Sequence, residues 1–123
     1  MDGDPFCVSA LVNDSVFANT LIDTGCLSYS LCDPRFAKKN NLMLLKIKPC
    51  TVTGVDGKVT AVTDEVAVMD IDLDGYSESR VFAYVCPIGQ YDMILGMPWI
   101  MAQDVQINGP CSEMRIGSTG TIV

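Results

Sequence analysis

Apolar and polar residues alternate along several short stretches of this 123-residue chain, a pattern typical of β-strands with one buried face. The alternation is clearest from residue 66, where one face is apolar and the other carries aspartates. The apolar set is Ala67, Met69, Ile71 and Leu73. A turn signal at Asp74-Gly75 follows, and residues 79–86 are predicted to pair back antiparallel.

The N-terminal third repeats this arrangement. Residues 6–12 and 15–22 are predicted to form a hairpin around the turn signal Asn13-Asp14. Helix is scarce: Asp33-Pro34 predicts an N-cap and a short helix over 34–40. Pro98 predicts a second helix, and further strands are expected at 45–53, 93–96 and 113–117. We therefore predict an all-β fold with one or two short helices, in a single domain spanning 1–123.

Composition narrows the possible partners. The chain carries 8 basic and 15 acidic residues, a net charge of −7, which would repel a phosphate backbone. No apolar run reaches the roughly 20 residues needed to cross a bilayer, and no leader-like segment opens the chain. We therefore expect a soluble cytoplasmic protein that binds neither nucleic acid nor membranes.

The thiol and imidazole content limits the chemistry. The six cysteines include no CxxC pair and the chain has no histidine, so a zinc site is poorly supported. Without histidine, Ser-His and Cys-His nucleophilic machinery is excluded. The spacing of the cysteines favours reduced, mostly buried thiols rather than disulfides. Acid–base chemistry would fall to carboxylates, and we expect no metal and no cofactor.

One carboxylate stands where a strand should enter the core. In the stretch "NTLIDTGCLSY", residues 19–29, the aliphatic pair Leu21-Ile22 runs directly into Asp23. Leaving such a group uncompensated at the edge of a core costs about 2–7 kcal/mol. Thr24 and Gly25 offer a hydroxyl and a closely approaching amide as compensation. An isolated Asp-Thr-Gly is nevertheless a plain turn more often than a catalytic site.

Two other segments have ordinary interpretations when taken singly. "YDMILGMPWI", residues 91–100, could be a buried strand followed by a proline-initiated helix. Residues 51–60 could be an ordinary hairpin whose tip is 54–57. The order and spacing of the three segments are more specific than any one of them.

Together these segments resemble the retropepsin family of aspartic proteases, and in particular the protease domains of gypsy-type LTR retrotransposon polyproteins. The resemblance covers about residues 5–117 and depends on "LIDTGC", "YDMILGMPW" and the length between them. It implies a closed β fold with a flap hairpin, forming half of a two-fold dimer. It also implies an aspartic endopeptidase that acts on extended peptide or polyprotein substrates.

The resemblance assigns roles residue by residue. Asp23 would be the catalytic aspartate, Thr24 would link the two active-site turns across the dimer, and Gly25 would contact substrate. The expected substrate-binding residues are Leu21, Leu27, Ile94 and the flap residues Gly54, Val55, Asp56 and Gly57. Leu95 and Gly96 would support the active-site turn from below. Viral members have an acid and arginine pair where this chain has Leu27 and Met97, and both partners are absent together.

A single Asp-Thr-Gly also has a consequence for assembly. Aspartic-protease chemistry needs two carboxylates around one water, so two chains would meet with both Asp23 residues at the two-fold axis. Such a homodimer would work in the cytoplasm or inside a retrotransposon particle. Three alternatives stay open: a retropepsin-like domain of a cellular ubiquitin-shuttle-type protein, a non-catalytic dimerisation module, and a small β-barrel binding protein.

Overall fold

The computed structural model describes residues 6–53, 59–108, 113–117 and 121–123, and strands dominate these ranges. In chain order the elements are β1 (Phe6–Val12), β2 (Val16–Asp23), β3 (Ser30–Cys32), α1 (Pro34–Lys39), β4 (Met43–Thr53), β5 (Val59–Leu73), β6 (Tyr76–Val85), β7 (Met93–Gly96), α2 (Met97–Ala102), β8 (Val105–Asn108), β9 (Glu113–Ile116) and β10 (Thr121–Ile122).

Six of these strands close into a barrel. The hydrogen-bonded order β1-β2-β7-β3-β6-β5 returns to its start because Leu11 and Val12 of β1 pair with Asp72 and Ile71 of β5. Closure leaves few unpaired edges. Strand β4 pairs with β5 outside this ring, and β8, β9 and β10 form a separate three-stranded sheet. The prediction of an all-β closed fold is confirmed.

Turn and cap chemistry account for the local structure. Asn13 and Asp14 both adopt positive φ, at 53° and 54°, which suits a tight hairpin turn between β1 and β2. The side chain of Asp33 accepts a hydrogen bond from the Arg35 amide and caps α1, whose first residue is Pro34. The predicted hairpin and first helix are thus confirmed.

Several boundaries differ from the prediction. Strand β4 begins at Met43, two residues before the predicted start, and β5 is far longer than its alternating part. The alternation at 67–73 is confirmed, because Ala67, Met69, Ile71 and Leu73 are buried while Asp70 is exposed and Asp72 is half-buried. Strands β3, β8 and β10 were not predicted, since each has four residues or fewer and little periodicity.

The apolar residues form two buried clusters. The larger one fills the barrel and includes Trp99 and Leu95. The smaller one lies near the end of β2 and consists of Leu21, Cys26, Leu31, Val52, Cys86 and Ile94. Adjacent residues of β7 therefore serve different clusters, as alternation on a strand requires. No helix in the described ranges is long and apolar enough to span a membrane.

Candidate active site

Two parallel strands bring the first and third sequence motifs together. Strands β2 and β7 pair in parallel, with Leu21 opposite Ile94 and Asp23 opposite Gly96. Their carboxyl ends therefore meet at one edge of the barrel. All four residues of β7 are buried, so this strand is a firm support for the turn that follows β2.

Among the described residues, only one of the two Asp23 carboxylate oxygens has a hydrogen-bond partner. The side-chain Oδ1 of Asp23 accepts a hydrogen bond from the Gly25 amide at 2.8 Å. The backbone carbonyl of Asp23 accepts another from the Cys26 amide at 3.2 Å. Its Oδ2 is buried and has no hydrogen-bond partner among the residues that the structure describes. An unmatched buried oxygen costs about 1–3 kcal/mol, so this atom is suited to a partner from outside the described chain.

The residues that flank Asp23 face outward. Thr24 is exposed, as is Leu27, which has 64% of its surface accessible. Gly25 is half-buried and its amide is already used by Asp23. Thr24 and Leu27 are therefore accessible to a second chain or to a substrate, while their roles there remain predictions.

Gly96 packs directly beneath the turn. A Cβ atom at this position would lie 2.0 Å from the Ser28 carbonyl oxygen and 2.8 Å from the Cys26 carbonyl oxygen. Backbone hydrogen bonds fix the same contact: the Gly96 amide donates to the Tyr29 carbonyl at 3.0 Å, and the Met97 amide donates to the Cys26 carbonyl at 2.9 Å. Only glycine allows this close approach.

Leu21 and Ile94, expected to bind substrate, lie in the smaller cluster. Ile94 is fully buried and Leu21 is nearly so, and Leu95 lies in the larger cluster. In this chain all three support the turn from below, and contact of the first two with substrate remains a prediction. Val52, near the tip of the β4–β5 hairpin, belongs to the same cluster as Ile94 and was not predicted from sequence. No local pattern marks this residue, because the other members of its cluster are distant along the chain.

Cys26 is buried directly after the turn. Burial raises the pKa of its thiol, a hydrogen bond to the Ser28 carbonyl at 3.7 Å opposes that rise, and the nearby Asp23 charge adds to it. The thiol therefore stays protonated at neutral pH and adds no negative charge beside Asp23.

The predicted flap residues, Gly54, Val55, Asp56 and Gly57, lie outside the described residues. The strands that lead to them are described. They pair antiparallel up to Thr53 opposite Val59, so they form a long hairpin of the kind that the prediction requires.

Sequence interpretation missed a polar network beside the turn. Glu78 of β6 accepts hydrogen bonds from the Tyr29 hydroxyl at 2.6 Å and from the Trp99 indole at 2.9 Å. Its carboxylate was indistinguishable from the solvated acidic residues around it, because the irregularity that turns it inward has no clear signature in the sequence.

In the described ranges, no group of three or more His, Cys, Asp or Glu side chains is arranged to hold a metal ion. A surface cleft of about 480 Å³ lies at the start of β2, lined in part by Phe17, Phe36 and Tyr91. At about 3.3 Å per residue, this cleft lies roughly 20 Å along the strand from Asp23.

Comparison with models of known protein families identifies the family of this chain. The family model described as the PEG10/RTL1 protease domain matches residues 19–119, which include the Asp-Thr-Gly turn, the hairpin and the aliphatic-glycine segment. The chain belongs to the PEG10/RTL1 protease domain family. Comparison with curated protein sequences finds no significant match.

Solved structures give the same fold for this PEG10/RTL1-type domain. The crystal structure of the retroviral protease-like domain of Ddi1 from Leishmania major matches with a TM-score of 0.64 and 16% identity. The match covers 94% of this chain and 90% of that one. The prediction of a retropepsin-like domain is confirmed.

Proposed function

We propose that this domain is an aspartic endopeptidase that acts as a homodimer and processes a polyprotein encoded by an LTR retroelement. The observation that carries the proposal is the carboxylate of Asp23, held at a strand end with Oδ1 fixed and Oδ2 buried without a partner in the described chain. A matching carboxylate from a second chain, with a water between the two, would satisfy this oxygen.

The chemistry follows from two carboxylates at close range. Like charges so near cannot both ionise, so the two Asp23 side chains would share one proton. The ionised carboxylate would take a proton from water, which attacks the scissile carbonyl, while the protonated carboxyl would donate to the developing oxyanion. The exposed Thr24 and Leu27 would then contact the partner chain and the extended peptide, respectively. Neither a metal nor a covalent intermediate is needed.

Substitution of Asp23 tests the catalytic assignment. Asp23→Asn keeps the side-chain shape but removes the general base and the shared proton, so we expect cleavage to fall at least about a hundredfold. The assay uses a library of extended peptides together with peptides that span candidate polyprotein junctions. Circular dichroism should be unchanged. Cleavage within a few-fold of the wild type by a folded variant would contradict the proposal.

The similarity to the Ddi1 domain favours a second candidate, a retropepsin-like domain of a cellular protein. Both candidates predict loss of activity in Asp23→Asn, so substrate choice distinguishes them. Cleavage of the polyprotein junction peptides supports the retroelement function. Cleavage confined to unrelated library sequences would favour the cellular one. In either case we propose that the enzyme works in the cytoplasm.

A further inference from the structure

A closed ring of polar and aromatic contacts lies beside the catalytic turn. The two oxygens of Glu78 accept separate hydrogen bonds, Oε2 from the Tyr29 hydroxyl at 2.6 Å and Oε1 from the Trp99 indole at 2.9 Å. Gln103 donates to the Tyr29 hydroxyl at 3.2 Å and accepts a hydrogen bond from the hydroxyl of Tyr76. The Tyr76 ring packs edge-on against Trp99, with 6.5 Å between centroids.

A β-bulge turns Glu78 inward. Between the pairs Met69–Val81 and Ile71–Glu78, β6 has one residue more than β5. Val81 and Glu78 therefore both face the barrel interior, although three positions separate them and strict alternation would put them on opposite faces. Arg80 in the bulge has φ of +57°, a conformation that costs a non-glycine residue about 1–2 kcal/mol.

The ring is attached to both sides of the catalytic turn. Tyr29 supplies the hydroxyl to Glu78 and also the carbonyl that accepts the Gly96 amide. Trp99 lies on α2, whose first residue, Met97, donates its amide to the Cys26 carbonyl. Through these bonds, Glu78 connects the segment after Asp23 to the helix that follows Gly96. The acid and arginine pair of the viral members is absent here, where Leu27 and Met97 occupy its positions.

We propose that Glu78 is a positioning residue of the protease, which fixes the Asp23 turn relative to α2 by accepting the Tyr29 and Trp99 hydrogen bonds together. The inference rests on the proposed function. Glu78 touches neither substrate nor the reacting atoms, so its contribution is to the geometry of the aspartates. Small displacements of a catalytic group affect the chemical step more than ground-state binding.

The amide variant Glu78→Gln tests the role. Glutamine has an NH2 group, which only donates, in place of one carboxylate oxygen, so it cannot keep both of the bonds that Glu78 accepts at separate oxygens. We expect kcat to fall roughly tenfold or more while KM changes less than about twofold. The matched control is Asp72→Asn, because Asp72 also accepts two hydrogen bonds, from Gly75 and Ser77, on the solvated side of the same hairpin. This control should keep the wild-type kcat.

A second readout does not depend on activity. Trp99 is the only tryptophan in the chain, so its indole N–H gives a single resonance in a proton–nitrogen correlation spectrum. Glu78→Gln should shift this resonance, Tyr29→Phe should shift it less, and Asp72→Asn should not move it. Glu78, Tyr29 and Trp99 are proposed to act as a unit. The double variant Tyr29→Phe with Glu78→Gln should therefore lower kcat about as much as Glu78→Gln alone.

The outcomes separate the inference from the function on which it rests. The positioning role would be overturned if the folded Glu78→Gln protein kept the wild-type kcat, or if its loss of kcat/KM came entirely from a higher KM. The protease function would stand in both cases. A wild-type protein that cleaves no peptide would overturn both. If Glu78→Gln does not fold, Tyr29→Phe decides the question, because it removes only the hydroxyl oxygen. The proposal then requires that Tyr29→Phe lower kcat by a larger factor than it changes KM.

Discussion

Gly96 leaves no room for a larger residue, because two backbone carbonyl oxygens of the Asp23 turn lie within 3 Å of where its Cβ would be. Its φ of −95° is one that any residue adopts, so the need for glycine is purely one of space. This contact explains why an aliphatic-glycine motif accompanies Asp-Thr-Gly. The turn can carry Asp23 at the strand end only if β7 comes this close.

Gly96→Ala should therefore be severely destabilising. A Cβ at 2.0 Å from the Ser28 oxygen forces the backbone to move, and we expect a loss of more than about 3 kcal/mol in unfolding free energy. Urea denaturation measures it. The control is Gly89→Ala, where nothing lies within 4 Å but φ is +74°, and the loss should be only about 1 kcal/mol. Equal losses in the two variants would refute the steric explanation.

Among individual residues, those of the Asp-Thr-Gly and aliphatic-glycine motifs could be predicted from the sequence, but the residues packed around them could not. Asp23 was recognisable because a charge followed an aliphatic strand, and the requirement for Gly96 followed from its place in a known motif. Val52 and Glu78 were not recognisable, since each depends on contacts with residues far away along the chain. Long-range packing of that kind leaves no local pattern.

Among the elements, α1 is the one whose structure follows most directly from a local signal. Asp33 caps it and is almost completely buried. Burial alone would raise the pKa of Asp33, but hydrogen bonds from the Arg35 side chain and amide and from the Ile88 amide outweigh it and lower the pKa. The ionised cap thus joins the helix to the loop before β7.

The lowered pKa of Asp33 predicts a pH-dependent stability. A carboxyl whose folded pKa lies below its unfolded value of about 3.9 stabilises the fold above that pH, and the contribution is lost as pH falls through the folded pKa. Asp33→Asn keeps a capping oxygen but removes the charge, so it should cost about 1–2 kcal/mol at pH 7 and less at pH 3.

Urea denaturation of both proteins at the two pH values measures this difference. The control is Asp64→Asn, which removes an exposed carboxylate 3.4 Å from Lys46 and should change stability little. If the wild type exceeds Asp33→Asn in unfolding free energy by as much at pH 3 as at pH 7, the charge of Asp33 contributes nothing to stability.

The prediction of helices and strands was limited by the shortness of some strands and by the bulge in β6. The hairpin of β1 and β2, the alternating part of β5 and both helices had clear signals in turns, prolines and periodicity. Strand β3 has three residues, too few for any period to appear. The bulge in β6 was invisible because Arg80 gives no hint of a positive φ.

The whole molecule is a barrel whose proposed active site is incomplete in one chain. The fold could be predicted because the motifs occur in a fixed order, and the family and structural matches confirm it. The dimer could not be derived from local pattern, since it is a property of two surfaces. It rests instead on stoichiometry: one chain supplies a single Asp-Thr-Gly, and the proposed chemistry needs two.

Mixing wild-type and Asp23→Asn chains tests whether an active enzyme needs an Asp23 carboxylate from each of two chains. Total protein is held constant at a concentration where sedimentation shows dimers, subunits are allowed to exchange, and peptide cleavage is measured against the wild-type fraction. If each active dimer needs two Asp23 carboxylates, activity follows the square of that fraction, so an equal mixture retains about a quarter of the wild-type rate. Activity that falls only in proportion to the wild-type fraction, to about half in an equal mixture, would show that each chain works alone and would contradict the proposed dimeric active site.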